Sequence, residues 1–172
     1  RYGVLPDMIT FAKGVTNGAA PMGGVIVRDT IHDAFMSGPE HVVELAHGYT
    51  YSAHPLACAA GLATLDIYRD EKLFEHARAL EPKWTDAIFS LKNEPNVVDI
   101  RTVGLTAGID LASRPDQPGK RGFDALNSAF FDNDLMMRIA GDTLALTPPL
   151  IVSEEQVGEI VEKVAKVIRA VA

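Results

Sequence analysis

The segment Met8-Ile9-Thr10-Phe11-Ala12-Lys13-Gly14-Val15-Thr16-Asn17-Gly18-Ala19-Ala20-Pro21-Met22-Gly23-Gly24-Val25-Ile26-Val27 holds two apolar, β-leaning runs around a loop of turn formers and small residues. Lys13-Gly14 stops the first run. A lysine that ends an apolar strand ahead of a Gly-rich loop can have its stem packed and its amine turned toward a cleft. Desolvation lowers a lysine pKa from about 10.4, and a neutral amine is the nucleophile that a Schiff base requires. The plainer alternative is a solvated charge at a strand end, since Lys is seldom buried. The small residues beside Lys13 shift the balance, because they leave room for a bulky ligand.

Working outward, Thr30 to Met36 reads as a short helix ended by Ser37-Gly38-Pro39, and Leu56 to Leu65 as a helix of small residues. Such a surface admits a close neighbour, which places this helix inside a layered α/β body. Between the two lies His47-Gly48-Tyr49-Thr50-Tyr51-Ser52-Ala53-His54-Pro55. The hydroxyls of Thr50 and Ser52, with free backbone N–H groups ahead of a helix, suit a phosphate. A turn with an N-cap Ser or Thr is the competing reading. His47 and His54 have no evident third ligand, so no metal site is expected. A Ser52–His54 hydrolase lacks the G-x-S-x-G elbow.

Charges become frequent from about Tyr68 to Lys72, and two domains are expected: 1–67, the end of a large α/β domain, and 68–172, a small α+β domain. Leu73, Ala77, Leu80, Trp84, Ile88 and Leu91 recur at helical steps, interrupted by Pro82, which should kink the helix or open a new one. Val97 to Arg101 and Thr106 to Leu111 read as strands about Gly104. Arg114 to Gly122 reads as a polar, disordered loop. Phe123 to Phe131 reads as a helix. Met136 to Ile139 and Thr143 to Leu146 read as strands joined by a tight turn at Gly141-Asp142. Ser153 and Gln156 have capping-box spacing before the stripe Val157, Ile160, Val161, Val164, Ile168 and Val171. Arg138 places a guanidinium in an apolar strand. It must pair with Asp142 or Asp134, face solvent, or await an anionic ligand such as a carboxylate.

Composition narrows the partners. The 172 residues carry 16 Lys+Arg against 23 Asp+Glu, a net charge of −7, which disfavours nucleic acid and anionic membranes. Hydrophobic content of 47% is enough for a core, and no apolar window is long enough to span a bilayer. Cys58 is the one cysteine, so an internal disulfide and a Cys-rich zinc site are excluded. The start at Arg1 is neither signal nor transit peptide and suggests part of a longer, cytoplasmic protein.

Taken together, Thr10-Phe11-Ala12-Lys13-Gly14 with Asn17-Gly18 and Pro21-Met22-Gly23 resembles the lysine segment of class III (subgroup II) aminotransferases. These are pyridoxal phosphate enzymes of fold type I. The run His47 to Ala60, with its Tyr-Ser-Ala-His-Pro form, and Arg138-Ile139-Ala140-Gly141-Asp142-Thr143-Leu144 resemble the ω-amino acid:pyruvate (β-alanine–pyruvate) branch. The 4-aminobutyrate and ornithine branches and the aminomutases are the neighbouring alternatives, and a non-catalytic fragment is the third. The resemblance implies that Lys13 anchors pyridoxal phosphate and moves a proton, and that Thr50, with Tyr49 beside it, binds the cofactor phosphate in the partner subunit's site. It implies that Arg138 holds the substrate carboxylate, in a ping-pong exchange between an amine and a keto acid within a homodimer or homotetramer. It also implies that the family's phosphate cup, ring-stacking aromatic and ring-nitrogen acid precede Arg1, so that these residues alone make no competent transaminase.

Overall fold

The computed structural model describes residues 2–42 and 45–172; Arg1, where the reading of the N-terminus starts, lies outside them, as do Val43 and Glu44. The chain forms two compact units, Arg1–Glu71 and Lys72–Ala172. Both mix helix and sheet, as the alternating sequence patterns require.

In the first unit β1 (Met8–Ala12) pairs antiparallel with β2 (Gly23–Val27), from Met8 opposite Val27 to Ala12 opposite Gly23. α1 spans Asp29–Phe35 and α2 spans Pro55–Asp70. Pro55 opens α2, where its missing N–H costs nothing, and the helix runs five residues beyond the Ala-rich stretch that announces it. Ala57, Gly61 and Thr64 are its buried positions. Steps of four and three put them on one face, and their small side chains keep that face flat. The ribbon is different. Met8, Ile9, Phe11, Val25, Ile26 and Val27 are exposed on both of its faces, and a two-stranded ribbon without a cover is marginally stable.

The second unit is a four-stranded antiparallel sheet with helices packed on it. α3 (Leu73–Phe89), β3 (Val97–Val103), β4 (Thr106–Leu111), α4 (Lys120–Asn127), β5 (Arg138–Ala140), β6 (Thr143–Leu146) and α5 (Glu154–Ala170) follow in order. The strands lie in the order β3-β4-β6-β5. Ile100, Ile109, Leu144 and Ile139 stand opposite one another across the four strands, a single apolar row. Trp84 and Ile88 of α3 and Val164 and Ile168 of α5 join that row in one core. The capping box at Ser153 and Gln156 forms as its spacing predicts. Pro82 sits inside α3 without ending it. Its missing bond leaves only the carbonyl of Arg78, an exposed residue, for water to satisfy.

The segment read as a disordered loop is built otherwise. Arg114 pairs with Gln117 in a short bridge, and Lys120 to Gly122 form the first turn of α4. Two anchors, buried Arg121 and half-buried Asp142, explain the order. Arg121 donates through Nε to the Ala112 carbonyl at 2.8 Å and through Nη1 to the Val171 carbonyl. Asp142, from the turn after β5, accepts from the N–H groups of Gly119 and Gly122, both at 2.8 Å, and from Ser113 Oγ at 2.6 Å. Burial pushes the Asp142 carboxyl up, but these bonds and one from the Arg121 N–H outweigh it and hold it below the ordinary range. A carboxyl held lower in the folded chain than in the unfolded one adds stability above about pH 3.9, lost as the pH falls through the folded value.

Elsewhere the strand expected from Met136 begins only at Arg138, because Met137 turns into the core. The expected helix through Phe131 changes after Asn127 into a wide π turn, Ser128–Asp132.

Gly122 is the tightest point of this arrangement: a Cβ there would lie 2.1 Å from the Gly141 carbonyl oxygen and 3.0 Å from Asp142 Cα. Backbone on both sides cannot give way, so Gly122→Ala should cost about 1–3 kcal/mol. Gly158→Ala on α5, where nothing lies within 4 Å of the added methyl, should gain about 0.5–1 kcal/mol. Urea midpoints followed by fluorescence of Trp84, the one tryptophan, report both; a neutral Gly122→Ala would remove the close approach as a constraint.

Candidate active site

Lys13 follows the last residue of β1 and starts a single helical turn, Lys13–Val15. Its φ of 55° is in the left-handed region, uncommon for a residue with a side chain. The turn is held from three directions. The Thr16 N–H donates to the Lys13 carbonyl at 3.2 Å, and buried Thr16 Oγ1 donates to the Ala20 carbonyl at 2.6 Å. From α2, Tyr68 Oη donates to the Gly14 carbonyl at 2.6 Å. Gly61, one helical stripe back, lets the loop settle: a Cβ there would meet Met22 Sδ at 3.2 Å and the Val15 carbonyl oxygen at 3.7 Å. The lysine loop therefore lies on the flat face of α2. The Lys13 side chain is exposed, so walls enclosing its amine are not among the described residues.

Thr50 and Tyr49 line an open cleft of about 1340 Å³ in the same unit, together with His47, Ser52, His54 and Cys58. The backbone tightens here. Tyr49 and Ala53 have φ of 49° and 56°, the Ser52 N–H donates to the Tyr49 carbonyl, and the Tyr49 N–H donates to His47 Nδ1 at 2.9 Å. No side chain caps the start of α2. Its first turn, with Ala57 and Cys58, lines the cleft beside Thr50 and Ser52, and uncapped N–H groups next to two hydroxyls make a donor set that fits a phosphate. Lys13 is not among the residues that line this cleft. The structure thus joins Thr50 and Tyr49 and leaves Lys13 apart from them. No group of three or more His, Cys, Asp or Glu among the described residues is placed to hold a metal.

Arg138 begins β5 in the second unit, exposed on the sheet face opposite the core. Of the pairings left open by the sequence, neither forms. The Asp142 carboxylate is committed to α4, and among the described residues Arg138 has no ion pair or side-chain hydrogen bond. Two partners escaped the sequence reading. Tyr68 lies on the stripe Ala57, Gly61, Thr64 at the next helical step, a signal present in the spacing. The role of Asp142 depends on a contact twenty residues away in sequence and left no local signal.

The aminotransferase class-III family model matches residues 1–168. An omega-aminotransferase of Caulobacter vibrioides is 49% identical over 98% of this chain and 38% of its own length. A beta-alanine–pyruvate aminotransferase of Pseudomonas aeruginosa is 41% identical over 99% of this chain and 38% of its own. Among solved structures, an (S)-enantioselective omega-transaminase from Thermomicrobium roseum superimposes with a TM-score of 0.89 at 34% identity, over 99% of this chain and 38% of that one. The chain spans 38% of the length of these relatives.

Among the described residues the hydroxyl of Tyr68 is the one side-chain donor to the Gly14 carbonyl. Tyr68→Phe should therefore destabilise the first unit by about 0.5–1.5 kcal/mol and raise amide exchange at Val15 and Thr16. Unchanged exchange there would show that the loop holds its shape without the clamp.

Proposed function

The chain belongs to the class-III aminotransferases, and from that premise we propose that the full-length protein transfers an amino group from a β-alanine-like ω-amino acid or amine to pyruvate, using pyridoxal phosphate. The observation that carries the reading is the clamped turn that presents Lys13 at the end of β1. Pyridoxal phosphate supplies, when bound, an aldehyde that takes up the amino group and a ring that stores the electron pair of a broken C–H bond.

The residues of this chain do the rest. The Lys13 amine is the covalent anchor. Once displaced by the incoming amine, it would serve as the base that removes the proton from the substrate carbon and delivers it two atoms along, across the nitrogen, to the carbon of the former aldehyde. Its position on a clamped turn fixes the direction of that transfer, and orientation of this kind accounts for much of a catalytic advantage. Thr50 Oγ1 and the uncapped N–H groups of α2 hold the phosphate, with Tyr49 forming the adjacent wall. Because Thr50 and Lys13 do not share a cleft, we assign them to two different active sites of a homodimer or homotetramer. Arg138, without a partner among the described residues, binds the carboxylate of the amino donor or of pyruvate through its planar fork.

Two experiments on the full-length protein test this. Borohydride reduction of the cofactor-loaded enzyme followed by peptide mapping should place the pyridoxyl adduct on Lys13; an adduct elsewhere, or none, ends the proposal. Arg138→Ala should raise KM for pyruvate about tenfold or more while KM for an amine lacking a carboxylate moves less than about twofold. Equal changes would take Arg138 out of carboxylate binding.

A further inference from the structure

We infer that Arg101 is a positioning residue for Arg138: by occupying the only two acids on its sheet face, it keeps the Arg138 guanidinium free for a substrate carboxylate. The inference rests on the role proposed for Arg138.

The side chains that alternate with the core row point to the opposite face of the sheet. There Arg101, Gly108, Ala145 and Arg138 stand opposite one another across β3, β4, β6 and β5. The next row on that face is Asp99, Asp110, Thr143 and Ala140. The face thus carries two cations and two carboxylates, and the two carboxylates are direct cross-strand partners. Like charges so placed repel unless a cation lies between them.

Arg101 is that cation. It donates through Nη2 to Asp110 Oδ1 at 2.8 Å, through Nη1 to Asp110 Oδ2, and through Nη1 to Asp99 Oδ2 at 2.7 Å. Thr143 Oγ1 adds a bond to Asp110 Oδ1 at 2.7 Å. Both oxygens of Asp110 are therefore engaged, and the Arg101 guanidinium beside it, then the Thr143 hydroxyl, hold its carboxyl below the ordinary range. Gly108 makes the geometry possible. A Cβ there would sit 3.6 Å from Arg101 Nε and 3.7 Å from Nη2, so the guanidinium lies across β4 where a larger side chain would stand. Gly108 and Ala145, the smallest residues of the row, are all that separate Arg101 from Arg138.

The charge arithmetic decides the consequence. With Arg101 in place the two acids are satisfied and Arg138 has no partner among the described residues. Without it, two unsatisfied carboxylates remain on the face with Arg138 as its only cation. Asp110 is then two strands and one row away, within reach of a long, mobile guanidinium. An internal carboxylate would compete with the substrate's for the same fork.

Arg101 is exposed, so its replacement should leave the core intact. In the full-length enzyme Arg101→Gln should raise KM for pyruvate roughly tenfold and leave KM for a carboxylate-free amine within about twofold. Adding Asp110→Asn to that variant should restore most of the loss, and Arg101→Lys, which keeps the charge but not the fork, should fall between. Calorimetric titration of pyruvate into cofactor-free enzyme should give the same ranking. If Arg138→Ala weakens pyruvate binding and Arg101→Gln does not, the inference is overturned while the role of Arg138 stands. If Arg101→Gln weakens both substrates equally, or Asp110→Asn brings no recovery, Arg101 is structural only. If Arg138→Ala itself has no effect, the underlying assignment fails.

Discussion

Both units bring two elements together at a glycine, and in the second backbone meets backbone because a side chain is missing. In the first, Gly61 lies beneath the lysine loop, where an added Cβ would press on the Met22 sulfur at 3.2 Å and only touch the Val15 carbonyl oxygen at 3.7 Å. In the second, Gly122 lets the first turn of α4 rest against the Gly141-Asp142 turn, close enough that any Cβ would overlap a carbonyl oxygen. Protein interiors are packed densely enough that one methyl at such a point displaces an element rather than fitting beside it. What rides on each contact differs. The first lies beside the turn that carries Lys13, which its own hydrogen bonds hold; on the second rests the turn that leads from Arg138 back into the sheet.

Asp142 converts the second contact from a steric allowance into an attraction. Its carboxylate takes donors from α4 and from Ser113, so the helix start, the loop before it and the β5–β6 turn share one acceptor. The same commitment withdraws Asp142 from Arg138, its near neighbour in sequence. On the outer face of the sheet Asp110 is withdrawn in a parallel way by Arg101 and Thr143. Arg138 thus has no partner among the described residues, while Asp142 and Asp110 are each held by other donors. This is a matter of geometry more than of net charge, since the chain as a whole carries an excess of acids.

The first unit leaves much of its apolar surface in water. The ribbon of β1 and β2 exposes large side chains on both faces, as does α2 at Leu56, Leu62 and Leu65. Contiguous apolar surface of this kind marks where other protein packs, and the relatives that match this chain are more than twice its length. The cleft around Thr50 and the turn at Lys13 belong to this unit, so the surfaces next to the proposed chemistry are also those with the least covering of their own.

The strands, the helices and the capping box were legible because each rests on local periodicity or on contacts a few residues apart. The Val157, Val164 and Ile168 positions could be read as one apolar stripe from their spacing alone. The family, too, was written in short motifs around Lys13, Thr50 and Arg138. The order of residues 114–122 was not legible, since a polar run with two prolines looks alike whether solvated or anchored. Only the folded chain brings Asp142 to the N–H groups of α4 and sends the Arg121 guanidinium to the Val171 carbonyl. Which acid pairs with which arginine was likewise decided by strand register, which puts Arg101 beside Asp110 and leaves Arg138 without a partner among the described residues. Sequence specifies the residues and their local periodicity; partners far apart in the chain are chosen by hydrogen-bond geometry and packing that exist only once the sheet has formed.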